Sequence, residues 1–356
     1  MWLPCGGTAT VIGKRHSGAG QNLQTHNYTM PNLAINYQDI INASQRIKGH
    51  AVTTPLLESQ LLNQQLGGRV LFKSENLQKT GSFKFRGAFN KLCKLADANQ
   101  LNGVVAYSSG NHAQGVAAAA GHFNVPAIII MPADAPHIKI TNTKTLGATV
   151  VLYDRIKEDR HAIGQKLANE QNLSLIPPYD DADIIAGQGT LGLEAAHQLE
   201  ALNLRPDLAI SPIGGGGLIS GIATALKNHF PHIKIWGAEP QNYDDARRSL
   251  VADQRLANEP APASICDAIV TPIVGELTFP IMQHYLAGAK AVSQESVLQA
   301  MMCCMQDLKL IVEPGGCVGL AAILAGQLDV RDKVTLVVLS GGNADPAMLS
   351  RALGAS

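Results

Sequence analysis

The sequence has no excess of charge of either sign: Lys plus Arg and Asp plus Glu number 28 each, for a formal net charge of zero. Nucleic acid and anionic membrane surfaces select basic stripes, so neither is indicated as a partner. No uninterrupted apolar run reaches the ~18 residues of a spanning helix. The best candidate, LAISPIGGGGLISGIATAL (208–226), is broken by glycines, serines and a proline. The six cysteines (Cys5, Cys93, Cys266, Cys303, Cys304, Cys317) contain no CxxC pair and no zinc-type spacing. They read as free buried thiols of a reducing cytoplasm. Residues 1–32 lack a helical or strand period, and also the basic start and apolar core of a secretory signal. They read as a flexible extension, or in part as sequence upstream of a start at Met30. Internal repeats and low-complexity tracts are absent.

What is present is a chain of 356 residues, 46% hydrophobic and 16% charged, with 34 glycines. That profile suits a well-packed α/β protein of about two domains. From Leu33 onward short apolar runs alternate with amphipathic segments, as βα units do. Strands are predicted at 69–75, 103–108, 126–132, 149–153, 208–213, 233–239 and 333–340. Several are apolar nearly throughout, as strands buried on both faces of a parallel sheet should be. Helices are predicted at 113–123, 159–171, 218–230 and 296–308.

Three predicted strands end in small or glycine-rich turns: SGNHAQG (109–115), GGGGLISG (214–221) and GGNAD (341–345). Open α/β sheets bind ligands at the carboxyl ends of their strands. Helix N-termini there present free N–H groups and a positive dipole end, so an anion is a natural guest. Each turn alone could be an ordinary tight turn; three together point to a cleft. Lys84 adds a different signal. In GSFKFRG (81–87) it stands between two phenylalanines, which suggests a partly buried amine. Burial favours the neutral form, which is nucleophilic, although a buried lysine stem can also merely pack.

Gly214–Gly217 followed by a helix suits a phosphate. A Walker loop needs Lys-Ser/Thr after its last glycine, and Leu218-Ile219 stands there. A dinucleotide fingerprint fails on glycine register, although Glu239 sits where a ribose-binding acid would, and that reading leaves Lys84 idle. A phosphate-bearing aldehyde accounts for both features, because pyridoxal phosphate needs an amine, a phosphate cup and a group facing its ring nitrogen.

Here the chain resembles the serine/threonine dehydratase and serine racemase branch of fold-type II pyridoxal phosphate enzymes. Four ordered motifs carry the likeness: GSFKFRG (81–87), SSGNHAQG (108–115), GGGGLISG (214–221) and SGGN (340–343), with IAGQGTLGLE (185–194) between them. The resemblance implies a tryptophan synthase β-like α/β fold of two open, twisted, mostly parallel sheets flanked by helices. It implies a large cofactor-binding domain from 33–82 and 183–356, with a small domain at 83–182. It makes Lys84 the Schiff-base lysine that later moves the α-proton, with Phe83 flanking the cofactor ring and Asn111 bonding its hydroxyl. Gly214, Gly215, Gly216, Gly217 and Leu218 would hold the phosphate, and Ser340 would face the ring nitrogen. Ser108, Ser109, Gly110, Asn111 and His112 would receive the substrate carboxylate, with Thr271 nearby and Ala268 where relatives often carry glycine.

The implied activity is ammonia-lyase action on L-serine or L-threonine. Ser109 occupies the place of the second acid/base of serine racemases, so racemisation is an alternative. Arg155 and Arg160 could read the second carboxylate of 3-hydroxyaspartate, or be solvated helix charges. In EPQNYDD (239–245), Glu239, the carbonyl of Tyr243 and Asp245 resemble the branch's divalent-cation site, for Mg²⁺ or Ca²⁺. A small-molecule amino-acid substrate and a homodimer are implied as partners. A non-catalytic binding module is the reading from a different class.

Overall fold

A computed structural model describes residues 33–354 apart from positions 109, 136 and 155. Cys5, Ser109, Arg155 and the expected extension at 1–32 therefore lie outside the described residues. The strands, in chain order, are β1 (Leu56–Glu58), β2 (Arg69–Ser74), β3 (Val104–Tyr107), β4 (Ala127–Pro132), β5 (Thr149–Tyr153), β6 (Ser174–Leu175), β7 (Leu208–Pro212), β8 (Lys234–Pro240), β9 (Leu286–Val292) and β10 (Val334–Leu339). They form a six-stranded sheet ordered β1-β2-β10-β7-β8-β9 and a four-stranded sheet ordered β5-β4-β3-β6. Pairing is parallel throughout except between β1 and β2. Every residue of β4 and β7 is buried, which explains their largely apolar sequences.

All seven expected strands are present. β1, β6 and β9 were not expected, for identifiable reasons. The first two are only three and two residues long. β9 reads LAGAKAV, with few good strand formers, and its pairing with β8 shifts register at Ile235/Trp236 beside Gly288 (φ 141°). The helix expected at 296–308 is instead helix Gln294–Cys303 followed by a π turn at Cys304–Leu308, ended by Lys309 in the left-handed region (φ 58°). Among the described residues no helix is long and apolar enough to cross a membrane.

Helix Ala182–Ala201 contains the IAGQGTLGLE segment and packs against helices Lys84–Asp97 and Gly217–His229. Its glycines permit backbone contact with both. A Cβ on Gly187 would lie 2.6 Å from Gly87 Cα, and a Cβ on Gly221 would lie 2.5 Å from Gly189 N. Any side chain at these points would push the helices apart.

Candidate active site

The carboxyl ends of β3, β7 and β10 open into one cavity. Strand β10 lies between β2 and β7, so Ser340 after β10 and Gly214 after β7 are brought side by side. Helix Asn111–Phe123 starts two residues earlier than its apolar pattern suggested, with Gly110 as cap. Helix Gly217–His229 is capped by Gly216 at φ 90°. Neither cap supplies a side-chain acceptor to the first N–H groups. By contrast Asn36, Asp159, Asp181 and Ser293 cap their helices with side-chain oxygens. Two helix N-termini are thus left open toward the cavity, and each can accept an anion.

Of the residues singled out from the sequence, Phe83, Lys84, Ser108, Gly110, Asn111, His112, Gly214, Gly215, Gly216, Gly217, Leu218, Thr271 and Ser340 all line this cavity. Ala268 and Arg160 line it too. The first and fourth motifs are tied together by their backbones: Phe83 N donates to Ser340 O at 3.2 Å, and Gly342 N to Gly81 O at 2.8 Å.

Lys84 lines the cavity. Its Nζ donates to Pro178 O at 2.6 Å and sits 5.2 Å from the Phe83 ring centroid. Among the described residues no carboxylate pairs with it. Burial therefore pulls the amine down to about 8. His112 Nε2 lies 2.9 Å from Ile176 O, a pure acceptor, so this nitrogen carries the hydrogen and the buried Nδ1 is an unpartnered acceptor. Burial first, and then the charge of Lys84, hold His112 down at about 3, so the ring is neutral. Thr271 Oγ1 and Gln188 Nε2 are likewise buried without partners.

Just beyond Lys84, Arg86 fixes the start of the helix. Its guanidinium meets Glu75 at 2.8 Å and Glu194 at 3.2 Å, and Lys73 Nζ bonds Glu194 at 2.5 Å and Thr54 O at 2.7 Å. Arg86, Glu75 and Lys73 are all at most 1% exposed. Isolated charges would be costly there, and the network satisfies them.

The sequence reading missed several lining residues. Tyr179 lays its ring on the glycine loop, where a Cβ on Gly215 would come within 2.2 Å of it. Lys139 spans the mouth to Asp267. Glu313 is buried against Asn111. Tyr179 lies in an aperiodic loop, PPYDD (177–181), which offered no signal. Glu313 had one, as a carboxylate between apolar and glycine residues in IVEPGG (311–316).

Glu239, Tyr243 and Asp245 do not line this cavity. Glu239 accepts from the backbone N of Ala246 (3.1 Å) and Arg247 (2.8 Å), and Asp245 Oδ1 from Asn258 Nδ2 (2.7 Å). Tyr243 OH donates to Ala261 O and Pro262 O, each at 3.1 Å. Burial, and then the neighbouring Asp245, raise Glu239 well above the usual range; burial raises Asp245 to about 6. Asp245 Oδ2 is buried without a partner. Among the described residues no three His, Cys, Asp or Glu side chains gather to hold a metal.

Among the described residues, an amine without a counter-ion, a side-chain-free cup at a helix N-terminus and unpartnered hydroxyl, amide and imidazole groups fit a phosphate-bearing aldehyde. Comparison with known proteins agrees. A model of the pyridoxal-phosphate dependent enzyme family matches residues 47–341. An L-threo-3-hydroxyaspartate ammonia-lyase of Pseudomonas sp is 43% identical over 309 residues, covering 87% of this chain and 95% of that protein. A serine racemase of Schizosaccharomyces pombe is 38% identical over 309 residues, covering 87% and 94%. The crystal structure of a T.th. threonine deaminase superposes with a TM-score of 0.82 at 42% identity, covering 87% of this chain and 99% of that one. The family match takes in both the lysine and the glycine loop, and the chain belongs to the fold-type II pyridoxal-phosphate dependent enzymes.

Proposed function

We propose that this enzyme is an ammonia-lyase for L-β-hydroxy-α-amino acids, releasing a 2-oxo acid and ammonia. The observation that carries the reading is Lys84, an amine without a carboxylate partner among the described residues, beside two glycine-capped helix N-termini. Pyridoxal phosphate supplies an aldehyde and an electron-withdrawing ring that acidify the α-C–H of an amino acid. The N–H groups at Gly217 and Leu218 would hold its phosphate, and Asn111 and Ser340 would meet its ring. Ser108 and the start of helix Asn111–Phe123 would bind the substrate carboxylate, with the Thr271 hydroxyl as a further donor. A neutral Lys84 Nζ can take the α-proton, because burial disfavours its charged form. His112 is held neutral and cannot compete as an acid.

Sequence alone put L-serine and L-threonine first. Arg160 supports 3-hydroxyaspartate ahead of them. Its guanidinium lies 5.4 Å from the Tyr107 ring centroid at the cavity rim, and among the described residues it has no carboxylate partner. The relative from Pseudomonas supports the same order. We further propose that Asp245 Oδ2 and Glu239 hold Mg²⁺ or Ca²⁺ as a structural ion, and that residues 83–182 form the small domain. The test is incubation with pyridoxal phosphate and, separately, L-threo-3-hydroxyaspartate, L-threonine and L-serine, quantifying 2-oxo acid and D-serine. Oxaloacetate formed fastest is expected. D-Serine as the main product would replace the lyase with a racemase, and no turnover of any of the three would overturn the reading.

A further inference from the structure

Glu313 Oε1 accepts from Asn111 Nδ2 at 2.5 Å. Asn111 Oδ1 accepts from Asn343 Nδ2 at 2.7 Å, and the same nitrogen donates to Thr80 O at 2.9 Å. A backbone carbonyl can only accept, so Thr80 dictates which end of Asn343 carries nitrogen. That choice fixes the amide of Asn111, and it leaves Glu313 Oε1 only the role of acceptor. A proton taken up by Glu313 must therefore sit on Oε2, which has no hydrogen-bond partner among the described residues. Packing holds the chain of groups in place. A Cβ on Gly341 would lie 2.0 Å from Glu313 Oε1, and one on Gly81 would lie 2.6 Å from Asn343 Oδ1. The glycines of the first and fourth motifs thus make room for this relay.

The charged and titratable groups around the carboxyl are Lys139 on helix His137–Thr145, Asp267 and Cys266 on the loop before helix Thr278–Tyr285, and Cys317 before helix Val318–Leu324. Lys84 lines the same cavity. Burial, with a smaller push from Asp267, raises the carboxyl to about 7 against the opposing effects of Asn111 and Lys139.

On the reading that the cavity holds pyridoxal phosphate, we propose that Glu313 is a positioning residue that turns the second N–H of Asn111 toward the cofactor's ring hydroxyl and, through its own charge, sets the ionisation of that hydroxyl. An anionic Glu313 shares the Asn111 amide with the ring oxygen and repels a second anion there. A neutral Glu313 leaves that amide to an ionised ring oxygen. An anionic Glu313 therefore raises the pH at which the ring hydroxyl ionises, and the two groups titrate as a coupled pair.

The experiment records the visible absorption of the cofactor-loaded protein on either side of about pH 7, for the wild type, Glu313→Gln and Glu313→Ala, with the pyridoxal phosphate Kd from equilibrium dialysis. In the wild type the band of the ionised ring hydroxyl should grow as pH rises, with a midpoint held high by the anionic Glu313. Glu313→Gln keeps an acceptor oxygen but no charge; it should develop that band at lower pH than the wild type, with little change in Kd. Glu313→Ala should bind the cofactor about tenfold more weakly. A Glu313→Gln protein that titrates like the wild type overturns the proposal. If Glu313→Gln does not fold, Asn343→Ala breaks the relay at its other end, and unchanged affinity and spectrum in that variant overturn it equally. A wild type with no cofactor band abolished by Lys84→Ala would instead refute the reading of the cavity, and this inference with it.

Discussion

Lys84 Nζ donates to Pro178 O at 2.6 Å and faces no carboxylate among the described residues. The folded protein therefore holds this amine less protonated than the unfolded chain does, at about 8 instead of 10.5. The contribution of Lys84 to the stability of the cofactor-free protein is therefore least favourable below about pH 8, and the penalty fades as pH rises toward 10.5. The full penalty is on the order of 3 kcal/mol. Lys84→Met should remove it. Urea unfolding of cofactor-free wild type and variant, compared at neutral and alkaline pH, checks this, and the variant should gain most at neutral pH. The variant should also lose all turnover.

The glycine loop has no space for a side chain. A methyl at Gly215 would meet the Tyr179 ring at 2.2 Å, and one at Gly216 (φ 90°) would meet Thr278 Oγ1 at 2.7 Å in strained backbone. Gly215→Ala should raise the pyridoxal phosphate Kd by more than about tenfold, since displacing the ring also distorts the cup. Equilibrium dialysis measures it directly.

Arg160→Ala separates the substrates. If its guanidinium reads a second carboxylate, a lost charged hydrogen bond costs about 1.5–3 kcal/mol, or roughly ten- to a hundredfold in kcat/KM. The loss should appear with L-threo-3-hydroxyaspartate and be near absent with L-serine. Equal losses on both would assign Arg160 to packing on Tyr107.

Removing Arg86 strands Glu75, which is fully buried. Arg86→Met should cost about 3–5 kcal/mol in denaturant unfolding. Adding Glu75→Gln to that variant should restore part of the loss, because the uncompensated charge is then gone.

Mg²⁺ or Ca²⁺ should raise the Tm of the wild type by pairing the two buried carboxylates Glu239 and Asp245. Asp245→Asn should abolish the ion's effect. An equal rise in the variant would place the ion elsewhere.

Much of the site was legible in the sequence because its chemistry lies in short contiguous motifs at strand ends. GSFKFRG, the tetraglycine run and SGGN each place backbone or amine groups by local geometry, and all three meet in one cavity. Lys139 and Tyr179 were not legible, and Glu313 showed only as a carboxylate among apolar and glycine residues. Their importance comes from tertiary neighbours, Asn111, Asp267 and Gly215, far off in the chain. The fold was read in the same way. Long apolar strands announced themselves, whereas β9 pairs through backbone that its Ala/Gly sequence does not advertise. The early start of helix Asn111–Phe123 has a related cause, since its cap is a glycine and offers no side-chain signature.

The contacts of Gly187 with Gly87 and of Gly221 with Gly189 reach beyond packing. They weld the helix that begins at Lys84 and the helix that begins at Gly217 onto a single central rod, Ala182–Ala201. On the proposed site, the two ends of a bound cofactor, aldehyde and phosphate, would attach to one rigid frame. If the four-stranded sheet swings to admit or release substrate, the reach from amine to phosphate cup stays constant.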